Sequence, residues 1–360
     1  WKAGRRQRKD GLFQRGDAGM RREITGGLTW RSRVLLLLLP MVAVVAALSI
    51  GRVGVPVSYI FNSVLEKLGM QAAELMTQYE AVLGKFRLPR ILLSLLVGAG
   101  LSVSGCAFQS LFSNPLATPD TLGVASGTSF GAALALLLGF GMLGVQAMAL
   151  CFGIAAVALT YLAGSGKGRS SMGMMILSGI MVGSLFTALI SLIKFTADTE
   201  SQLPVITYWL MGSMSAAGYD SLLLGAPLIV LGIMVLYLLR WRLNILPLSD
   251  DEARASGMNV KAMRIVTVLC ATGITASCVS MCGQVGWVGL LVPHLCRMRY
   301  GSNHLALVPS SVCVGAAFMV AVDTMARSVS AAELPLSILT AIIGAPFFIV
   351  LMRRSGGWQM

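Results

Sequence analysis

The chain has 360 residues, of which 56% are hydrophobic and only 12% charged, and its net charge is +13. At a mean hydropathy of +0.78, a soluble domain would lack the polar surface to cover itself. The long uncharged runs do not alternate polar and apolar residues, which excludes an outer-membrane barrel and specifies an all-α polytopic membrane protein.

Much of the positive charge precedes Arg33, in a stretch with almost no apolar periodicity. Residues 1–33 read as a basic cytoplasmic tail that lies against lipid and sets orientation. A nucleic-acid arm is the competing reading, but the membrane demanded by the rest of the chain already accounts for the charge. The apolar run that follows is too long for a signal peptide, so it is read as an uncleaved first span. About ten transmembrane helices are expected, at 34–50, 91–112, 121–141, 144–163, 173–195, 221–239, 264–281, 284–298, 307–326 and 336–352. Together they form a single transmembrane domain, 34–354. The eighth is the shortest and carries Pro293 and His294. A proline inside a span needs protein neighbours that satisfy the freed backbone groups.

The second span organises the others. Arg87-Leu88-Pro89-Arg90 precedes an uncharged run of about 22 residues, roughly 33 Å as a helix. The run stops at Asn114-Pro115, where helix is disfavoured. Ser94, Gly98, Ser102 and Cys106 recur every fourth residue. Small side chains at that spacing let a neighbouring helix approach closely, which lipid alone does not drive.

Orientation follows from Lys and Arg. With both termini cytoplasmic, the inner loops hold Lys167 and Arg169, then Arg240, Arg242, Arg254, Lys261 and Arg264, then Arg297 and Arg299, and finally Arg353 and Arg354. The outer segment 51–90 breaks the rule with Arg52, Lys67, Lys85, Arg87 and Arg90. In the outer connection 196–220 the second half is too apolar for a plain loop and predicts a short helix at the mouth. The inner connection 240–263 contains a better-marked one. Ser249 can cap a helix whose first turn holds Asp250, Asp251 and Glu252, and Gly257 can end it. Such a helix suits docking of a cytoplasmic partner or serves as a solvated linker.

Four patterns invite chemistry. Gly164-Ser165-Gly166-Lys167-Gly168 suggests a phosphate loop, but Gly168 follows the lysine where Ser or Thr should bind magnesium. Gly127-Thr128-Ser129-Phe130-Gly131 matches a nucleophile elbow, yet it lies in a membrane helix rather than a strand–turn–helix. Cys278, Cys282, His294 and Cys296 offer soft ligands for zinc, with no carboxylate near in sequence. The seven cysteines, nearly all inside apolar runs, read instead as packing residues. Asp323 and Arg327 stand at i,i+4 and can pair. Few other ionisable groups lie in the spans, which favours a transporter powered from outside the chain over a proton-coupled one.

Several motifs stand together in order: RLPR (87–90), GAGLSVSG (98–105), NPLATPDTLGVASG (114–127), YWLMGS (208–213), LSDDEARASGMNV (248–260), GQVGWVGLLVPHLCR (283–297) and ELPLSILTAIIGAPFFIVLMRR (333–354). With these the chain, from about Arg33 to Arg354, resembles the permease subunits of iron-chelate (siderophore, haem) and cobalamin ABC importers. The resemblance implies a cobalamin-importer-permease-like fold in the inner membrane of a bacterium. It implies a homodimer with the pathway between two permease subunits. An ATPase dimer, the site of ATP and magnesium, would dock on the coupling segment 248–260 through Ser249, Asp250, Asp251, Glu252, Ala253, Arg254 and Gly257. An extracytoplasmic substrate-binding protein would meet Arg87, Arg90 and Arg327, with lipid-headgroup anchoring the alternative role for the first two. Charge reversal at Arg87 and Arg90 is therefore expected to uncouple the permease without unfolding it. Ser170, Ser171, Met172 and Gly173 match the cytoplasmic gate region. Asn114, Pro115, Gly123, Gly289, Pro293, His294, Asp323, Gly344 and Pro346 match packing and motif positions. Departures are Trp287 where Phe is usual, and Asn303 and Leu305 where an acidic and a basic residue are common. The implied function is inward movement of an iron(III)–siderophore complex, with haem or cobalamin as alternatives, no cofactor or metal in this chain, no catalysis by it, and no nucleic acid. Rival readings are a proton-coupled transporter and an intramembrane serine hydrolase using Ser129.

Overall fold

The computed structural model describes residues 27–51, 53–67, 77–164, 172–329 and 332–354. The basic tail therefore lies almost wholly outside the described residues. The described chain is helical, with no strand among those residues. In chain order the elements are α1 (Trp30–Ser49), α2 (Val57–Lys67), α3 (Thr77–Ala81), a π-helical stretch (Val82–Arg87), α4 (Leu88–Leu111), a 3₁₀ turn (Pro119–Leu122), α5 (Val124–Leu137), α6 (Met142–Gly164) and α7 (Met172–Thr196). There follow α8 (Gln202–Leu210), α9 (Tyr219–Leu238), α10 (Arg240–Leu243), α11 (Asp250–Ala255), α12 (Val260–Cys282), α13 (Val288–Tyr300), α14 (His304–Ser328) and α15 (Leu336–Arg354).

Each expected span contains a helix, but they are not equal. Among the described residues seven helices are long and apolar enough to cross a membrane: α1, α3 to α4 as one rod, α6, α7, α9, α12 and α14. The other three, α5, α13 and α15, are shorter, and left-handed residues explain two of them. The third span was expected over 121–141; α5 is trimmed to 124–137 by Gly123 (φ 71°) and Gly139 (φ 74°), whose left-handed backbone stops a helix. Gly283 (φ 74°) ends α12 and Gly301 (φ 84°) ends α13, which cannot begin before its N-cap Trp287 (φ 67°). The helix expected in 205–220 forms earlier, as α8, because Gly212 at φ 77° stops it.

The bundle is built around α4. In its most apolar stretch 83% of residues are buried, against 78% for α12 and 11% for α1, so α4 is the axis and α1 a peripheral, lipid-facing helix. The small-residue row does what its spacing predicts. A Cβ built on Gly98 would fall inside the radius of the Gly315 carbonyl of α14, and one on Gly105 inside that of Gly289 of α13. Further down the row Cys106 Sγ lies 3.2 Å from Ser311 Oγ. Ser104 Oγ donates to the Ala271 carbonyl of α12 at 2.9 Å. Three helices thus reach the α4 backbone where it has least side chain.

At the outer end the helix termini are joined by main chain. The Ser213 amide donates to the Cys282 carbonyl (2.8 Å), Leu336 to Gly212 (2.9 Å) and Ser337 to Met211 (3.2 Å). These bonds link the ends of α8 and α12 to the start of α15. Trp287, at φ 67°, stands in the left-handed region and packs on Gly344 of α15, where any side chain would clash with the indole.

Candidate functional site

Two assemblies, one at each end of the bundle, gather the residues singled out in the sequence. The outer one begins with Pro89. Proline has no N–H for the carbonyl one turn earlier, and the helix before it widens, with Leu88 N–H bonding the Leu83 carbonyl. The end of the outer segment 51–90 is continuous with the second span, one rod from Tyr79 to Leu111.

Arg90 uses both edges of its guanidinium. Nε and Nη2 reach Asp323 at 2.8–3.0 Å, and Nη1 donates to both Glu333 oxygens at 2.8 and 3.0 Å. The Asp323 side chain is 2% exposed and that of Arg90 12%, so this pair sits largely out of water. The expected Asp323–Arg327 pair is the looser contact, at 3.9 Å. Arg327 donates to the Ala47 carbonyl, and Arg87 to the carbonyls of Leu48 and Val53. Two guanidiniums therefore cap the C-terminal end of α1, where cations are favoured. Arg87, Arg90 and Arg327 still line an outward cavity of about 370 Å³, with Met214 and Glu333 on its wall. Reversing Arg90 to Glu would set a third carboxylate against Asp323 and Glu333, so at that position a loss of stability is expected as well as uncoupling.

The inner assembly is an elbow between α9 and α12. Ser249 caps α11: its Oγ accepts from Glu252 N (3.4 Å), and Glu252 Oε2 accepts from Ser249 N (3.1 Å) and Oγ (2.8 Å). Gly257, at φ 79°, turns the chain out of the helix. Asn259 then caps α12 through the Ala262 amide at 3.0 Å. Ala253 is buried, whereas Asp250, Asp251, Glu252 and Arg254 are exposed. The elbow is pinned to its neighbours: Ser110 donates to the Leu243 carbonyl, and Asn244 bonds Asn303 (3.0 Å) and the His304 amide (2.8 Å). Asn303 is the N-cap of α14, a use that needs no charge. Hydrogen bonds from Ser249 hold the Glu252 carboxyl below its usual pKa. A lowered carboxylate pKa adds stability that is present above the unfolded value and lost as pH falls through the folded one. Hydrogen-exchange protection over 249–256, taken relative to the intrinsic rate at each pH, is thus expected to fall below the ordinary glutamate range, and the change to be absent in Glu252→Gln. An unaltered pH response in that variant would remove the cap from the explanation.

The remaining positions scatter along the bundle. Asn114 accepts the Leu116 amide at 2.9 Å in the turn that Pro115 continues. Gly123 faces Gly183 of α7, and Gly289 packs on Pro119. Pro293 and Pro346 lie inside α13 and α15, and the His294 ring packs on Phe348, 5.8 Å between centroids. Met172 and Gly173 open α7, while Ser170 and Ser171, with most of the glycine–lysine loop, lie outside the described residues. Ser129 is buried in α5. Cys278 and Cys282 are buried free thiols of one helix, and Cys282 donates to the Cys278 carbonyl. Glu333 is the partner that sequence reasoning missed. It lies 243 residues from Arg90, and its only signal is a lone acid in an otherwise apolar outer loop.

These features define the membrane-spanning subunit of a transporter: a glycine-packed helical core, an ionic cluster at one mouth and a capped helix at the other. The FecCD transport family matches residues 37–354, and the chain belongs to this family of ABC importer permeases. The molybdate import system permease protein MolB of Haemophilus influenzae is 41% identical over 319 residues, 89% of this chain and 94% of that protein. An iron chelatin transport system permease of Helicobacter pylori is 35% identical over 284 residues, 79% of this chain and 86% of its own length. Among solved structures, a metal-chelate type ABC transporter in an inward-facing conformation superposes with a TM-score of 0.80 at 40% identity, covering 89% of this chain and 97% of that one.

Proposed function

We propose that the chain is the transport subunit of an importer in the cytoplasmic membrane, with both termini inside, and that it moves a metal oxyanion inward. The observation that carries the substrate class is the 41% identity to a permease named for molybdate, against 35% to one named for an iron chelate. Iron(III)–siderophore import is the second reading, supported by the likeness to a metal-chelate type transporter. Two copies would enclose the pathway. A separate ATPase dimer, holding ATP and magnesium, would dock on the elbow at 248–260, where three exposed acids surround a buried Ala253 that seats the helix. An extracytoplasmic binding protein would present acidic residues to the outer cavity lined by Arg87, Arg90 and Arg327. Arginine suits that contact because its planar fork binds carboxylate at two points. Met172 and Gly173, with Ser170 and Ser171, would form the cytoplasmic gate. ATP binding in the partner would move α11 and, through the Asn244–Asn303 and Ser110–Leu243 bonds, the inner ends of α14 and α4.

The test is uptake of radiolabelled molybdate, ferric siderophore, haem and cobalamin by cells producing this chain with its own ATPase and binding protein. Molybdate uptake is expected, abolished when the ATPase catalytic base is replaced. Uptake of a chelate instead would transfer the assignment to the second reading. Uptake that persists with the dead ATPase would remove the ATP-driven mechanism.

A further inference from the structure

A cavity of about 870 Å³ adjoins the inner assembly and runs away from it between the helices. It is a groove between α6, α9 and α12, at the end of the bundle that carries the elbow. Its floor is apolar, with Val157, Ile265, Val268, Leu269 and Gly273 among its walls. Its rim is charged: Arg254 on α11 and Lys261 and Arg264 on α12, opposed by a single carboxylate, Asp250. That carboxylate is committed to Arg264 Nη2 at 2.7 Å. Arg254 and Lys261 have no ion pair among the described residues, and Arg264 Nε is buried without a hydrogen-bond partner. On the lining side of the rim, Arg254 and Lys261 are thus the two cations without an ion pair, while Asp251 and Glu252 of α11 are not among the lining residues.

The level of that rim is marked by aromatic residues. Tyr161 lines the groove, and Tyr237 and Trp241 stand at the adjoining end of α9 and start of α10, stacked with Arg240 and Arg242 at 4.0 and 5.1 Å. Tyrosine and tryptophan concentrate at the membrane–water boundary, as do basic residues on the cytoplasmic side. An apolar slot running into the bilayer from a basic rim at headgroup depth matches one kind of molecule in shape and charge: a phospholipid with a negative headgroup.

We propose that this groove is a binding site for an anionic phospholipid of the inner leaflet, its acyl chain between α6, α9 and α12 and its phosphate held by Arg254 and Lys261. The proposal rests on the orientation proposed above, which puts the elbow inside; it is independent of the substrate reading and shares Arg254 with the proposed ATPase contact. It ties lipid to the elbow, because the rim residues come from both α11 and the first turns of α12. A headgroup there links the two across Gly257.

The experiment is native mass spectrometry of the full chain in a non-ionic detergent, titrated with dioleoyl phosphatidylglycerol or dioleoyl phosphatidylcholine. At least a fivefold preference for phosphatidylglycerol is expected. It should fall below twofold in Arg254→Gln/Lys261→Gln. It should persist in Arg240→Gln/Arg242→Gln, which removes equal charge outside the groove. Gly273→Leu, which fills the floor where a Cβ meets only Leu228 side-chain atoms at 3.5 Å or beyond, should weaken both lipids. Equal binding of the two lipids, or a preference untouched by Arg254→Gln/Lys261→Gln, would overturn the proposal. So would efficient oxidative cross-linking of a Leu269→Cys variant to a second copy in membranes, since the groove would then face protein.

Discussion

Asp323→Ala is expected to destabilise the permease by about 3–5 kcal/mol. The carboxylate is almost fully buried and accepts Arg90 on both oxygens. Removing it leaves a guanidinium in a poorly hydrated place with only Glu333, which is more exposed, to answer it. The comparison variant is Glu333→Ala, whose pair is nearer water and is expected to cost under about 1 kcal/mol. Thermal unfolding of detergent-solubilised protein separates the two. If Asp323→Ala melts with the parent, the cluster is not a structural tie and its arginines are free for other partners. A double-mutant cycle with Arg90→Ala isolates the pair itself, because removing both charges removes the stranded one.

Gly105→Val is expected to prevent assembly of the bundle. The Cβ alone would overlap the Gly289 carbonyl, and a main-chain atom cannot swing aside as a flexible side chain can. Overpacking a core typically costs about 1–3 kcal/mol, and here α4 and α13 must separate along their length. Gly54→Val has open space around its Cβ and is expected to leave the yield of monodisperse protein unchanged. Size-exclusion profiles of the two variants make the test. A well-behaved Gly105→Val protein would mean that the two helices do not cross as described.

The division between what was legible in the sequence and what was not follows from the range of each interaction. Helices and their caps are local. Ser249, Asp250, Asp251, Glu252 and Gly257 lie within nine residues, and their pattern describes the elbow almost atom for atom. Close helix approach is half local: the row from Ser94 to Cys106 announces that something packs there, but Gly315 and Gly289 are named only by the fold. Ionic partners at long range are not legible. Asp323 and Arg327 looked like a pair because they are one turn apart, whereas the stronger partner, Arg90, comes from 233 residues away. The length of α5 was overestimated because apolar composition continues past Gly123 and Gly139, whose left-handed backbone ends the helix.

The main-chain bonds that hang α15 from Gly212 and Met211 have a mechanical consequence. Side-chain substitution cannot delete an amide–carbonyl bond, so this mounting tolerates sequence drift at Met211, Leu336 and Ser337, proline apart, but not at Gly212, whose φ of 77° and close approach to the Gln284 carbonyl exclude a side chain. A rod secured at one end moves by pivoting. With 19 residues the lever is about 28 Å long, and a tilt of roughly ten degrees would carry the end at Arg354 through about 5 Å while the Leu336 end stayed in place. The Leu336 end of α15 is thus the quiet end of the helix, and displacement concentrates at the opposite end, at Arg354.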